Sequence, residues 1–417
     1  MRWKIDSRLV PVLVVLSAFG PYIWQGVRFE HPVLYLAGLY SLLTLLQARR
    51  KLLLFEVVVL LCFSGILIMS AFQTLSYPVS AAKIFAQADN WIQPMLIVLI
   101  VHRFQHQLAS ASQAILIALT ANVAVQLIQI YSGSPAWLKF WLPPGETSVA
   151  SLSIENGRYS GVFNQPLETG VAYVAGITLL MRAIVTRKDT FWTWACMIPL
   201  LIGGTLSVSK VFVLGVPIVV FLTILFEMSR RGFFLTLRQW LAISVFTVIM
   251  GAAAWTVAGK WAGTDYLLRL FQSQSSGESA LYLYTAGRFG GETLLLEQLA
   301  QTFRDEPLFG FGFRSFTAID NGYFDAYAQA GIVGLILFIP VIFYLLVIGV
   351  SQFTKVYGRM IVTMSVFLFL ANQGGPVLTV NRANILIWFV ILILLHSASL
   401  RNGLPAGTQR TTLPDSD

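Results

Sequence analysis

Arg288, Arg304 and Arg314 fall within one turn-rich stretch, Ala286–Gly334, that also holds acidic clusters and many glycines. A guanidinium offers five donors in a rigid fork and suits phosphate oxygens bidentately. Arg158 lies in IENGRYSGVFNQPLETG, residues 154–170, among turn-forming residues just ahead of an apolar run. It reads either as an interfacial anchor or as an anion contact. Lys210, in LIGGTLSVSKVFVLG, separates two apolar runs. A cation there either snorkels to the interface or faces a cavity. Asp320 and Asn321 stand before another apolar run, where either residue type can cap a helix. A carboxylate beside several arginines also stays ionised and can orient or deprotonate a hydroxyl, which makes Asp320 a candidate general base. Tyr323 and Asp325 are weaker candidates for the same work. His31, His102 and His106 sit near loops without the partner carboxylate of an HxxxH ligand pattern and are taken as topology or surface residues, so no metal site and no cofactor is expected.

The elements that position these residues are apolar. The chain has 417 residues, 56% hydrophobic and 11% charged. A soluble domain carries roughly a quarter charged residues, so this composition excludes a water-facing surface. Two cysteines, in separate apolar runs, exclude a disulfide framework. The net charge of +9 falls in short clusters between apolar runs, which argues for topology signals rather than nucleic-acid binding. Windows long enough to span a bilayer lie near 9–28, 31–47, 52–72, 91–108, 112–131, 166–185, 190–206, 211–228, 239–259, 322–350, 357–374 and 378–398.

The expected architecture is therefore an all-α polytopic membrane protein of about twelve transmembrane helices. Residues 1–131 hold helices one to five, 132–165 a first periplasmic loop, and 166–259 helices six to nine. Residues 260–320 form a large periplasmic loop, 321–398 helices ten to twelve, and 399–417 a cytoplasmic, disordered tail. Threaded with both termini cytoplasmic, the basic clusters (Arg49–Lys51, Arg230–Arg231, Lys355 and Arg359 among them) all land on one side. Both polar segments then face away from the cytoplasm, where nucleotides are scarce, and no phosphate-binding glycine motif occurs in the sequence. Within the larger one, Leu294, Leu295, Gln298 and Gln301–Thr302 have helical spacing, which predicts a surface helix over 291–304. Positive charge outside an oily chamber suits a lipid diphosphate: tail in the bilayer, phosphates on arginine, polar head in the loops. The departing diphosphate would supply the energy of a transfer.

Four stretches resemble the O-antigen ligase and Wzy-type polysaccharide polymerase superfamily. GRYSGVFNQPLETG is similar to its Arg-x-x-Gly-x-Phe-x-x-Pro segment, and TLSVSKVFVLG to its Thr-x-Ser-Arg-Gly-like helix. GRFGGETLLLEQLAQTFRDEPLFGFGFRSF resembles an Arg-led loop helix ending in Pro-Leu-x-Gly-x-Gly, and DNGYFDAYAQAGIVG the segment that enters the next span. The resemblance implies a metal-independent, GT-C-like glycosyltransferase of the bacterial inner membrane. Its partners would be undecaprenyl-diphosphate-linked donor and acceptor glycans, together with a chain-length regulator and export machinery. Arg158 and Arg288 would match the family's functional arginines, with Asp320 as a third catalytic candidate. Lys210, Arg304, Arg314, Asn321 and Tyr323 would contact diphosphate or glycan. Two departures carry meaning. Lys210 stands where the family often has arginine, and Asp320 where the ligases have histidine, which favours a polymerase over a ligase acting on lipid A–core. A flippase of lipid-linked oligosaccharide is the alternative from another class.

Overall fold

The computed structural model describes residues 9–24, 27–48, 51–76, 79–132, 135–141, 149–186, 191–231, 294–314 and 321–400. The expected span at 239–259, Arg288, Asp320 and residues 401–417 of the tail lie outside them. Each of the other expected windows contains a helix. The chain runs α1 (Leu9–Ser17), a hairpin β1 (Tyr22–Trp24) and β2 (Val27–Arg28), then α2 (Glu30–Ala48), α3 (Leu54–Thr74), α4 (Ala81–Arg103) and α5 (Leu108–Ser132). The short α6 (Val149–Glu155) precedes α7 (Pro166–Val185), α8 (Phe191–Leu206) and α9 (Lys210–Arg231). After the undescribed stretch come α10 (Leu294–Asp305), α11 (Gly322–Ser351), α12 (Val356–Gly374) and α13 (Asn381–Leu400).

Among the described residues, α3, α4, α5 with its preceding 3₁₀ turn, α7, α9, α11 and α13 are long and apolar enough to cross a membrane. Their outward faces are apolar too: Leu61, Ile68, Phe72, Ile117, Phe221, Ile336 and Phe343 are all exposed. Apolar exposure on this scale would be an aggregation liability in water and is the ordinary condition in lipid. The protein is an α-helical membrane protein. Two helices form its centre. In α13 and α7, 89% and 83% of the apolar window is buried, against 33% in α3, α9 and α11. Helix α13 packs against α7, α4 and α12, and α11 against α3 and α12.

Two windows depart from expectation. Helix α1 ends at Ser17 rather than near 28, because Gly20-Pro21 ends the run and the chain turns back as a hairpin. Helix α4 begins at Ala81 rather than near 91, capped by the Ser80 side chain, and carries Pro94 in its interior. Helix α10 matches the expected amphipathic segment closely, with Thr302 buried and Phe303 exposed.

Helix α11 is interrupted at Ala330–Gly331, where Gly331 has φ 61° and ψ −152°. That region is accessible in practice only to glycine. The peptide groups freed by the break are taken up by the segment after α10. Phe311 N–H donates to Ala328 O at 2.8 Å, Ile332 N–H to Pro307 O at 2.9 Å, and Val333 N–H to Leu308 O at 3.3 Å. Phe313 N–H reaches Thr74 Oγ1 of α3 at 2.8 Å. The turn DEPLFGFGF is thus wedged between α3 and the broken helix, an irregular backbone satisfied by protein partners.

Candidate functional site

Connectivity divides the bundle into a loop face, where the 132–165 segment begins and ends and α11 starts, and an opposite face. On the loop face the chain between α6 and α7, residues 157–165, does not lie on the surface. Val162 and Phe163 are buried, and the backbone is held by a ladder of amides on α5. Asn122, Gln126 and Gln129 recur at the spacing that places them on one face of a helix. Asn122 Oδ1 accepts from Val162 N–H at 2.9 Å. Gln126 Nε2 donates to Tyr159 O at 2.7 Å and to Gly203 O of α8 at 2.9 Å. Gln129 accepts from Gly161 N–H at 2.8 Å and donates to Gly161 O at 3.1 Å. Tyr173 of α7 stiffens the ladder through its hydroxyl, which donates to Gln126 Oε1 at 2.8 Å.

This framework fixes Arg158. Its own N–H bonds Ser153 O at 2.8 Å, Tyr159 N–H bonds Leu206 O at 2.9 Å, and its Nη2 points to Val208 O at 3.4 Å. Val208, with φ 48°, belongs to the turn between α8 and α9, and Lys210 is the first residue of α9. Arg158 and Lys210, far apart in sequence, therefore meet at one turn, and both are half-buried. Burial raises the pKa of the neighbouring Tyr159 phenol.

The turn between α12 and α13 connects this corner to the start of α11. Asn381 Nδ2 donates to Glu168 Oε1 of α7 at 2.8 Å, and Asn321 Nδ2 to Gln373 O at 3.0 Å. Asn321 is buried and caps α11, its Oδ1 accepting from Tyr323 and Phe324 N–H at 3.0 and 3.1 Å. Tyr323 donates to Phe369 O at 2.9 Å and stacks edge-on with Phe338. Arg304 is exposed, its Nε donating to Ala300 O of its own helix at 3.3 Å. Arg314 closes a short 3₁₀ turn. The structure thus brings Arg158 and Lys210 together, sets Asn321 and Tyr323 on the same face, and leaves Arg304 apart from them on α10.

Beneath the loop lies a charge cluster absent from the sequence reading. Arg28, Glu30, Asp89, Glu168 and Arg382 are all buried. Arg28 Nε pairs with Glu30 Oε1 at 2.6 Å, and Arg382 Nε with Glu30 Oε2 at 3.7 Å. Arg382 Nη1 donates to Val162 O at 2.6 Å, and its guanidinium sits over the Tyr22 ring at 5.3 Å. His31 is no surface residue: its Nδ1 accepts from Arg28 N–H at 3.0 Å, leaving Nε2 to donate to Asp89 Oδ2 at 3.0 Å. Burial by itself would lower the pKa of Arg28; the Glu30 and Glu168 carboxylates outweigh it and hold the guanidinium above its ordinary value. Tyr22 moves up, chiefly through burial and against the pull of both arginines. Two guanidiniums set among three carboxylates have no surplus positive charge for a substrate. The cluster locks the hairpin, α2, α7 and α13 beneath the loop that carries Arg158.

Neither the protein-family models nor the curated proteins gave a match to this chain.

Proposed function

We propose that this protein is a polysaccharide polymerase that joins undecaprenyl-diphosphate-linked oligosaccharide repeat units and releases undecaprenyl diphosphate. The observation that carries the reading is the loop 157–165. Irregular backbone in a membrane protein is tolerated where it is packed in protein or lines a cavity. Here the loop is built from the same residues that resemble the O-antigen ligase and Wzy-type superfamily, and it carries Arg158 to the Lys210 turn.

In this reading the chain crosses the bacterial inner membrane twelve times in a GT-C-like arrangement, with both termini cytoplasmic and the loop face periplasmic. The donor's polyprenyl tail lies in the bilayer against the apolar helix faces. Its diphosphate lies at Arg158 and Lys210, joined by Arg288 from the segment outside the described residues. A hydroxyl of the second lipid-linked unit attacks the donor's anomeric carbon. The glycosidic bond forms as the sugar–phosphate bond breaks, and the bonding pair leaves with the diphosphate. The arginines offset the charge that grows on those oxygens. Asp320 takes the hydroxyl proton. Asn321 and Tyr323 line the entrance through which the sugars approach. A chain-length regulator and export machinery would work beside it.

The test is the purified protein in lipid, given its lipid-linked repeat units, beside Arg158→Ala and Arg288→Ala. A product ladder in wild type that falls about 10²-fold or more in each variant is expected. Glycan transferred only to added lipid A–core would instead mark a ligase. Labelled units crossing the bilayer without transfer would mark a flippase and end the enzyme reading.

A further inference from the structure

Glu56 at the start of α3, His102 at the end of α4 and His396 near the end of α13 converge on the face opposite the loops. They are 0%, 4% and 2% exposed. Glu56 Oε2 lies 2.7 Å from His102 Nδ1, and Oε1 lies 2.9 Å from His396 Nε2. The potential ligand atoms all fall within 4.8 Å of one another. Leu53 N–H donates to Glu56 Oε2 at 2.7 Å and fixes the carboxylate's direction, as outer partners do around metal ligands.

Among the described residues no arginine or lysine pairs with Glu56, in contrast to Glu30, which has two arginines. Its side-chain partners are the two imidazoles, which serve a buried carboxylate either as protonated partners or as fellow ligands of one metal. Two imidazoles and one carboxylate are the borderline nitrogen and oxygen donors that suit zinc-class ions, with water in a fourth position. Ligand atoms set tetrahedrally about 2.1 Å from such an ion lie about 3.4 Å apart, so an ion between them replaces the direct contacts of 2.7 and 2.9 Å.

We infer that Glu56, His102 and His396 bind one divalent transition-metal ion of the zinc class. The site is structural and independent of the transfer reaction. It ties α13, the central helix, to α3 and α4 at one end, as Arg382 ties it to Glu30 at the other.

The experiment uses full-length, untagged protein in detergent, stripped with a chelator and dialysed against Zn²⁺ or Co²⁺. One equivalent of metal, tetrahedral Co²⁺ absorption bands and a rise in melting temperature with Zn²⁺ are expected. Affinity should fall at least about tenfold in His396→Asn and in Glu56→Gln. Absence of the Co²⁺ bands in wild type overturns the inference and leaves a hydrogen-bonded triad; this reading needs no variant to fold. Binding that survives both substitutions unchanged overturns it as well, marking a surface ion.

Discussion

Replacing Gly161 with alanine asks whether the α5 amide ladder sets the position of Arg158. Gly161 has φ 65°, and a Cβ there would lie 2.1 Å from Asn122 Oδ1 and 2.7 Å from its Nδ2. An L-residue held in the left-handed region costs about 1–2 kcal/mol. The Asn122 carboxamide must also move, which breaks its bond from Val162 N–H and strands a buried donor at about 1–3 kcal/mol. Together the two effects reach about 2–5 kcal/mol, a large part of a net stability of about 5–15 kcal/mol. A shift of about 1 Å in a substrate-positioning group can cost about 10²-fold in rate. The assay pairs thermal unfolding in detergent with product-ladder formation, on Gly161→Ala, Asn122→Ala and the double variant. Gly161→Ala should melt lower and lose activity. The double variant should fall short of the summed losses, because the two substitutions remove one shared contact. A Gly161→Ala protein with wild-type melting and activity within about twofold would refute the ladder's role.

Three further outcomes follow from the same packing. Gly331→Ala places a Cβ 2.3 Å from Leu308 C and O, in a backbone region closed to L-residues, and should destabilise by about 2–5 kcal/mol in denaturation of the detergent-solubilised protein. Arg382→Leu leaves Glu30 short of a partner and Val162 O without its donor; a loss of about 3–5 kcal/mol is expected in the same measurement. Asn321→Ala removes the cap of α11 and should cost about 1 kcal/mol, with Asn321→Asp retaining most of the stability.

The helices were legible because bilayer thickness imposes an apolar length that few other constraints mimic. Their ends were less so: α1 stops early at a Gly-Pro pair that hydropathy averages away, and α4 starts early through a polar turn that hydropathy discounts. Arg158 and Lys210 stood out as cations beside apolar runs, and tertiary structure places them at one turn. The ladder had a signal too, since Asn122, Gln126 and Gln129 make a polar stripe inside an otherwise apolar window. Arg28 and Arg382 had none. Arg28 ends an apolar run and Arg382 lies near the start of one, where an interfacial anchor looks the same, and their shared partner Glu30 is close to only one of them in sequence. Arg359 illustrates the same limit. Counted as a cytoplasmic marker, it is buried and bonds Glu227 of α9 at 2.9 Å. His102 likewise finds its carboxylate on another helix.

The decisive measurement counts undecaprenyl diphosphate released for each glycosidic linkage formed when the reconstituted protein meets its lipid-linked repeat units. A polymerase releases one equivalent per linkage, and Arg158→Ala should suppress release and linkage together. Units that cross the bilayer with no undecaprenyl diphosphate released, or release that Arg158→Ala leaves unchanged, would contradict transfer at this site.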